Sequence, residues 1–516
     1  MNRKFIFIAI IFLGLILRVI FINSSPLSLY GDELTLVLDA NSLLKTGHDQ
    51  LGNLLPLTFQ MGAGRPAGYV YGSIPFVALF GPTALGVRGL SILSGLGIII
   101  LLYLLGKKLF SEKVGLAAAF ISSISIWDIS LSRGGFEAHF ALFLALLGTY
   151  LFILAKEKPI LYLFSALSFG LTLHTYPTYK ITLILFLPLL VWFWGFNLTK
   201  KYFFCGVVIL MLFGFLSLTQ TFTGGSETRF SDINIFSHAN LKNSIEQKIN
   251  FERNITILPK SISKYFHNKQ IEYTKVLLEN YLQNFSMDFL VIHGDRNPRH
   301  NMATMGEIYF VDLILILVGL LNFWSKRKRV ITFILIWLIL SPVATSIVDL
   351  PHALRSAFML PSLIILSSLG LFTIIEGKRK YLYIVGILFL IQFVFFIQKL
   401  YFLAPEEYAS FWSFEAKLAS KKAIEKKGNY DFIFLSDKID SMEFAYPAYA
   451  KIDPEIVIDQ NKNKVSMGLY KFKKFGNVYI SPVSESALDE FLKQINGKAL
   501  YIREGNNGNL ILTEKL

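Results

Sequence analysis

Four short stretches of this 516-residue chain gather ionisable side chains at the edges of apolar runs. Gly31-Asp32-Glu33 sets two carboxylates side by side, which suits a general base or a cation ligand. It equally suits a solvated helix start, where acids complement the dipole. Ser132-Arg133, followed by Glu137 and His139, packs a guanidinium, a carboxylate and an imidazole into one turn. Arg133 is a candidate phosphate ligand, because guanidinium forks match phosphate oxygens; snorkelling to lipid headgroups is the plain alternative. His174-Thr175-Tyr176, leading to Lys180, is weaker, since tyrosines populate membrane interfaces anyway and His174 reads as a span cap. The fourth stretch is His293-Gly294-Asp295-Arg296-Asn297-Pro298-Arg299-His300-Asn301, with Asp349 to Arg355 (His352 included) as its candidate partner. Basic and polar groups bunched beside two apolar runs are what an anionic lipid headgroup requires.

The composition says what frame must hold these groups. The chain is 53% hydrophobic and only 17% charged, with a mean hydropathy of +0.51, against about 25% charge in soluble domains. Phe5–Ile22, Tyr202–Thr221 and Tyr381–Ile397 contain a single charge, Arg18, over the roughly 17–25 residues that a bilayer crossing needs. Eleven spans are expected, near 5–22, 85–105, 113–128, 137–155, 159–173, 180–197, 202–221, 307–324, 330–347, 355–375 and 381–400. A cleaved signal peptide is the rival for the first, but Asn23-Ser24-Ser25 is a poor cleavage site and Arg18 interrupts the run.

The turns between spans alternate in charge. One set holds Arg3 and Lys4, Lys107, Lys108 and Lys113, Lys156 and Lys158, Lys200 and Lys201, Lys326 to Arg329, and Lys378 to Lys380; the other holds only Arg133, Lys180 and Arg355. Positive turns face the cytoplasm. The N-terminus is therefore expected inside, with the loops 23–84 and 222–306 and everything after 401 outside. Gly68–Phe80 reads as a helix lying on or dipping into the membrane surface.

After residue 400 lysine and glutamate become frequent. Short β-type runs at Asp431–Leu435, Glu455–Ile458, Val478–Ile480 and Ala499–Ile502 alternate with helical patterns at Phe414–Lys426 and Ser484–Ile495. The expected architecture is thus a polytopic α-helical membrane protein over 1–400, of about 11 transmembrane helices, with a small extracytoplasmic α/β domain over 401–516. The net charge of +14 sits largely in the turns as orientation signals, so nucleic acid is not an expected partner. The single cysteine, Cys205, excludes an intrachain disulfide. No Walker loop, CxxC pair or GxSxG elbow occurs, and the inner turns are too short for a nucleotide pocket. A group-transfer enzyme of this design draws on an activated lipid already in the membrane.

Taken in order along the chain, these motifs resemble the C-type membrane glycosyltransferases, in particular protein mannosyltransferases and lipid A aminoarabinose transferases. Gly31-Asp32-Glu33 follows the first span. Arg65-Pro66-Ala67-Gly68-Tyr69-Val70-Tyr71 is similar to the family's Pro-Pro-Leu-Tyr-Tyr stretch, departing at Ala67 and Gly68. Val87-Arg88-Gly89-Leu90-Ser91 opens a span that ends in the basic turn Gly106-Lys107-Lys108. Ser132-Arg133 with Glu137, and His352 and Arg355 with Pro361, complete the series over roughly residues 1–400.

The resemblance implies a polyprenyl-phosphate sugar donor and one inverting displacement at the anomeric carbon. It implies Asp32 as general base, with Glu33 assisting or binding a cation, and Arg133, Arg296, Arg299 and Arg355 as ligands of the leaving phosphate. Glu137 and His139 are candidates for a divalent cation, which some relatives use; His174, Tyr176, His300 and His352 are further substrate or metal candidates. Arg65 and Tyr69 fall on the acceptor side. The acceptor would be a protein, lipid or glycan hydroxyl, reached at the outer face of a cell membrane among its lipids. A transporter or flippase of lipid-linked precursors is the alternative; it would place charges near the bilayer midplane and show inverted repeats, and neither is visible. A non-catalytic receptor leaves the acidic pair unexplained. Alkaline phosphatase fused after Leu516 should be active in a bacterial host and inactive when fused after Lys108; the opposite pattern would invert every loop assigned here.

Overall fold

The computed structural model describes residues 2–61, 64–195, 201–223, 235–237, 239–377, 379–505 and 508–515. The basic-turn residues Lys200 and Lys378, and all of 224–234, lie outside them. Each apolar run read from the sequence holds a helix. Six helices are long and apolar enough to cross a membrane, Ala84–Leu109 and Ala353–Gly377 among them. Glu112–Ile124 and Ile126–Ser132 add a seventh if counted together, bent by 57°. The bend lies at Ser125, whose extended backbone ends one helix while its hydroxyl accepts the Asp128 N–H at 3.3 Å and caps the next. Gly68–Phe80 is helical, as expected, and packs along Ala84–Leu109.

The two ends of this helical body differ. At one end the basic turns meet acids across helices: Arg3 with Glu112 at 2.5 Å, Lys113 with Glu376 at 2.8 Å, and Lys108 with Glu157. At the other end lie the Gly31–Thr46 helix and a short hairpin, β1 (Thr58–Phe59) paired with β2 (Arg65–Pro66).

The sheet-bearing domain packs on that second end. Its strands β3 (Phe432–Ser436), β4 (Val465–Met467), β5 (Tyr470–Phe475), β6 (Val478–Ser481), β7 (Ala499–Glu504) and β8 (Leu510–Lys515) form one sheet in the order β4-β5-β6-β3-β7-β8. β3 is parallel to both β6 and β7, and the outer strands are antiparallel. Glu455–Ile458, expected as a strand, is helical within Pro454–Lys462. Asp453 accepts the Glu455 N–H at 2.9 Å and Pro454 stands in the first turn, a start signal that outweighs the β-branched side chains. The helix that begins at Leu382 runs on through a π-helical turn to Glu407, so the change of composition near 401 falls inside a continuous helical run.

Leu34 and Val37 share one apolar core with Ile433 and Leu435 of the sheet. Lys417 Nζ donates to Leu27 O at 2.5 Å and Asn461 to Gln50 O at 2.8 Å. The sheet domain is fixed to the first loop.

Buried charges of opposite sign meet inside the helical body. Arg18 pairs with Asp128 at 2.7 Å, and Asp128 also holds His139 Nε2 at 2.7 Å, all three side chains fully buried. Nearer the loop end, Arg88 grips both oxygens of Glu33 at 2.8 Å and donates to Ile22 O and Ser28 O at 2.9 and 2.7 Å; Glu33 also accepts the Gly135 N–H at 2.8 Å. Such a pair is tolerated because its members find further hydrogen-bond partners in Ile22, Ser28 and Gly135. Truncating one partner leaves the other charged and unpaired. Arg88→Ala should therefore cost about 3–5 kcal/mol, read as a lower thermal midpoint in detergent; a midpoint within error of wild type would show that the pair holds nothing.

Candidate active site

Asp32 occupies the first turn of the Gly31–Thr46 helix and is half-buried. Its carboxylate accepts no hydrogen bond among the described residues. Its backbone carbonyl accepts from Arg65 Nη2 at 2.9 Å, and Arg65 also pairs with Glu137 at 2.7 Å and donates to Thr35 Oγ1 at 3.1 Å. The hairpin register, Phe59 opposite Arg65, delivers this guanidinium. Burial opposes its charge; the carboxylates of Glu137 and Asp32 outweigh burial and hold Arg65 above its ordinary value.

Tyr30, just before the helix, forms the wall between Asp32 and the rest of the site. Its ring meets Trp412 edge-on at 5.2 Å and Phe136 at 6.4 Å, and Arg299 Cζ lies 5.2 Å over it. Burial, then the carboxylates of Asp32, Glu33 and Glu137, keep its phenol protonated, well above the ordinary tyrosine value.

Beyond Phe136, 5.9 Å away, stands His300, and its ring lies 4.3 Å from that of His352. Both imidazoles turn to Asp295: His300 Nδ1 at 3.2 Å and His352 Nδ1 at 3.6 Å from the same carboxylate oxygen. Burial alone would raise the Asp295 pKa. The His300 hydrogen bond, the charges of His352 and His300 and the Asn297 N–H at 2.8 Å instead bring it to about 2; the same carboxylate accepts the Ala353 N–H at 2.8 Å. The ligand atoms of Asp295, His300 and His352 lie within 4.8 Å of one another. Two of the separations bracket the ~3.3 Å edge of a tetrahedron built on ~2.0–2.1 Å zinc bonds, and an imidazole–carboxylate set is one that zinc accepts. These residues fit a divalent metal.

The structure therefore gathers Asp32, Glu137, Arg65, Arg299, His300 and His352 at one end, with Arg355 beside His352. Several other candidates turn inward. Glu33 has both oxygens engaged by Arg88. Arg133 is fully buried, over the Tyr401 ring at 4.8 Å, with its N–H groups on the carbonyls of Ser25, Leu17 and Arg18. It ties two chain segments together and, fully buried, presents no surface to a phosphate. His139 is held by Asp128. The ring nitrogens of His174 meet Gln220 and Phe213 O at 3.0 Å, Tyr69 donates to Val87 O at 2.9 Å, and Tyr176 is buried against Tyr179. Arg296 is 87% exposed and 3.9 Å from Asp288, away from the group.

Asp295, Tyr30 and Trp412 were given no role by sequence. Asp295 had a signal, its place inside the histidine-rich stretch. Trp412 had none, since only the fold carries the chain end back to Tyr30.

A family model described as dolichyl-phosphate-mannose-protein mannosyltransferase matches residues 69–218. ArnT from Cupriavidus metallidurans, solved with undecaprenyl phosphate, superposes with a TM-score of 0.51 at 11% identity over 98% of this chain and 93% of that one. The apo oligosaccharyltransferase of Archaeoglobus fulgidus gives 0.50 at 14% identity over 87% of this chain. The chain shares its fold with these two enzymes. The chain spans 64% of that archaeal oligosaccharyltransferase, and 61% of the same enzyme solved with Zn and sulfate. No curated protein sequence matches the chain.

Behind Arg65, the buried Asp39 accepts the Gln50 N–H at 3.1 Å, and burial pushes its carboxyl up to about 7. An unfolded aspartate ionises near ~3.9. Between those values the native state keeps a proton that the unfolded chain has lost, so stability falls as pH rises from about 4 to 7. Asp39→Asn should remove that fall: the variant gains on wild type in thermal midpoint at pH 8 more than at pH 5. Parallel pH profiles would contradict the burial cost.

Proposed function

We propose that the protein transfers a sugar from a polyprenyl-phosphate donor to a hydroxyl of a protein, lipid or glycan acceptor, at the extracytoplasmic face of a cell membrane. The observation that carries this reading is the carboxylate of Asp32, which has no hydrogen-bond or ion-pair partner among the described residues while its neighbours Glu33 and Glu137 are paired. The likeness in fold to ArnT and oligosaccharyltransferase, and the mannosyltransferase match over 69–218, supply the reaction class. Their substrates are extended to this chain by proposal alone.

In this mechanism the acceptor oxygen attacks the anomeric carbon as the bond from that carbon to the donor phosphate oxygen breaks, inverting the centre. The acceptor proton passes to Asp32, a general base with no competing partner among the described residues. The electron pair leaves with the polyprenyl phosphate. Arg299 and Arg355 face that developing charge, which is electrostatic stabilisation at the leaving group. Arg65 and Glu137 neutralise each other and keep Asp32 positioned through its backbone carbonyl. Asp295, His300 and His352 would hold a divalent metal, which supplies Lewis-acid stabilisation of phosphate oxygens. Eleven membrane crossings with a cytoplasmic N-terminus complete the proposal. The fixed contact between the first loop and the sheet domain supports it, because both must then lie on one side.

Membranes carrying the protein should move label from a radiolabelled polyprenyl-phosphate sugar into a lipid, glycan or protein fraction. Asp32→Asn should lower that rate by about 10²–10⁴-fold at an unchanged thermal midpoint. Transfer by Asp32→Asn at the wild-type rate would remove the proposed base.

A further inference from the structure

The sheet domain carries a cavity of about 230 Å3 that the transfer chemistry leaves unused. It opens at the carboxyl ends of the parallel strands, between Asp437, which follows β3, and Pro482, which follows β6. The chain leaving β3 forms helices Met442–Tyr449 and Pro454–Lys462 on the face of Ile433 and Leu435. The chain leaving β6 forms Glu485–Gln494 on the opposite face, with Phe434 and Tyr479. Adjacent strands whose crossovers part to opposite faces leave a crevice at their carboxyl ends, which is where open α/β sheets bind ligands.

Charge and position narrow what this crevice takes. Lys464, Lys471 and Lys473 line it. Lys473 is paired with Glu443 at 2.7 Å, whereas Lys464 and Lys471 form no ion pair among the described residues. Ammonium groups on flexible stems act as point charges toward carboxylate or phosphate. Ser441, another lining residue, abuts the start of the Asp32 helix: a methyl group on Gly31 would lie 2.6 Å from Ser441 Oγ. The crevice and the free carboxylate are thus neighbours across one interface.

We infer that this crevice is an acceptor subsite for an anionic sugar unit, bearing a carboxylate or a phosphate, and that it brings the acceptor chain to Asp32. The assignment rests on the transferase reading for its purpose, but binding can be measured without turnover. Full-length protein in detergent would be titrated by calorimetry with glucuronate, glucose 1-phosphate, glucose and inorganic phosphate. At least one anionic sugar should bind tenfold or more tighter than glucose and than free phosphate. Lys464→Gln with Lys471→Gln should abolish that preference, and both lysines are exposed, so the thermal midpoint should hold. Asp32→Asn should bind as wild type does, which separates this result from failure of the transferase reading. Glucose or free phosphate bound as tightly as the tighter of the two anionic sugars would overturn the inference, as would a preference that survives in the double variant.

Discussion

The pair between Glu33 and Arg88 organises the loop end of this protein. Removed from water, neither charge persists without the other, and their remaining hydrogen-bonding groups fasten Ile22, Ser28 and Gly135. One interaction thereby fixes the exit of the first helix, the start of the Gly31–Thr46 helix and the turn that precedes Glu137. The position of Asp32 follows from it. Being next in sequence to a clamped residue, and on a helix, Asp32 points away from that clamp.

The same economy governs the other ionisable groups. Inside the apolar body, Arg18, Asp128 and His139 satisfy one another, and Arg133 is consumed by backbone carbonyls. A charge that holds helices together cannot also greet a substrate. Those with spare capacity lie where the body meets the sheet domain: Asp32, Arg299, and the cluster of Asp295, His300 and His352. The rings of Tyr30, Phe136 and Trp412 join them into one surface. Aromatic walls of this kind exclude water and strengthen the electrostatic contacts made against them.

Sequence periodicity and hydropathy read the helical body well, because burial in lipid demands long apolar runs and little else satisfies the backbone there. β3, β6 and β7 were readable as short β-branched runs; β4, β5 and β8 were not, since Lys474 interrupts the aromatic–lysine alternation of Tyr470 to Lys473 in β5 and the edge strands take their order from hydrogen bonding to neighbours. At the site, residue type alone could not tell Glu33 from Asp32, or Arg133 from Arg299. Each pair is chemically alike, and the difference lies in which partner the fold brings across: Arg88, 55 positions on, for Glu33, and the carbonyl of Ser25 for Arg133. Two of the three residues of the metal-competent set were visible. His300 and His352 stood out by type, while Asp295 passed as part of a basic stretch.

The central claim is that Asp32 and the Arg299 side of the site flank one donor. A structure of the protein with a bound polyprenyl phosphate tests it most directly. The account predicts phosphate density between Arg299 and Arg355, with the vacant sugar position open toward the Asp32 carboxylate. Phosphate density at the basic-turn end, near Lys107 and Lys108, would contradict it.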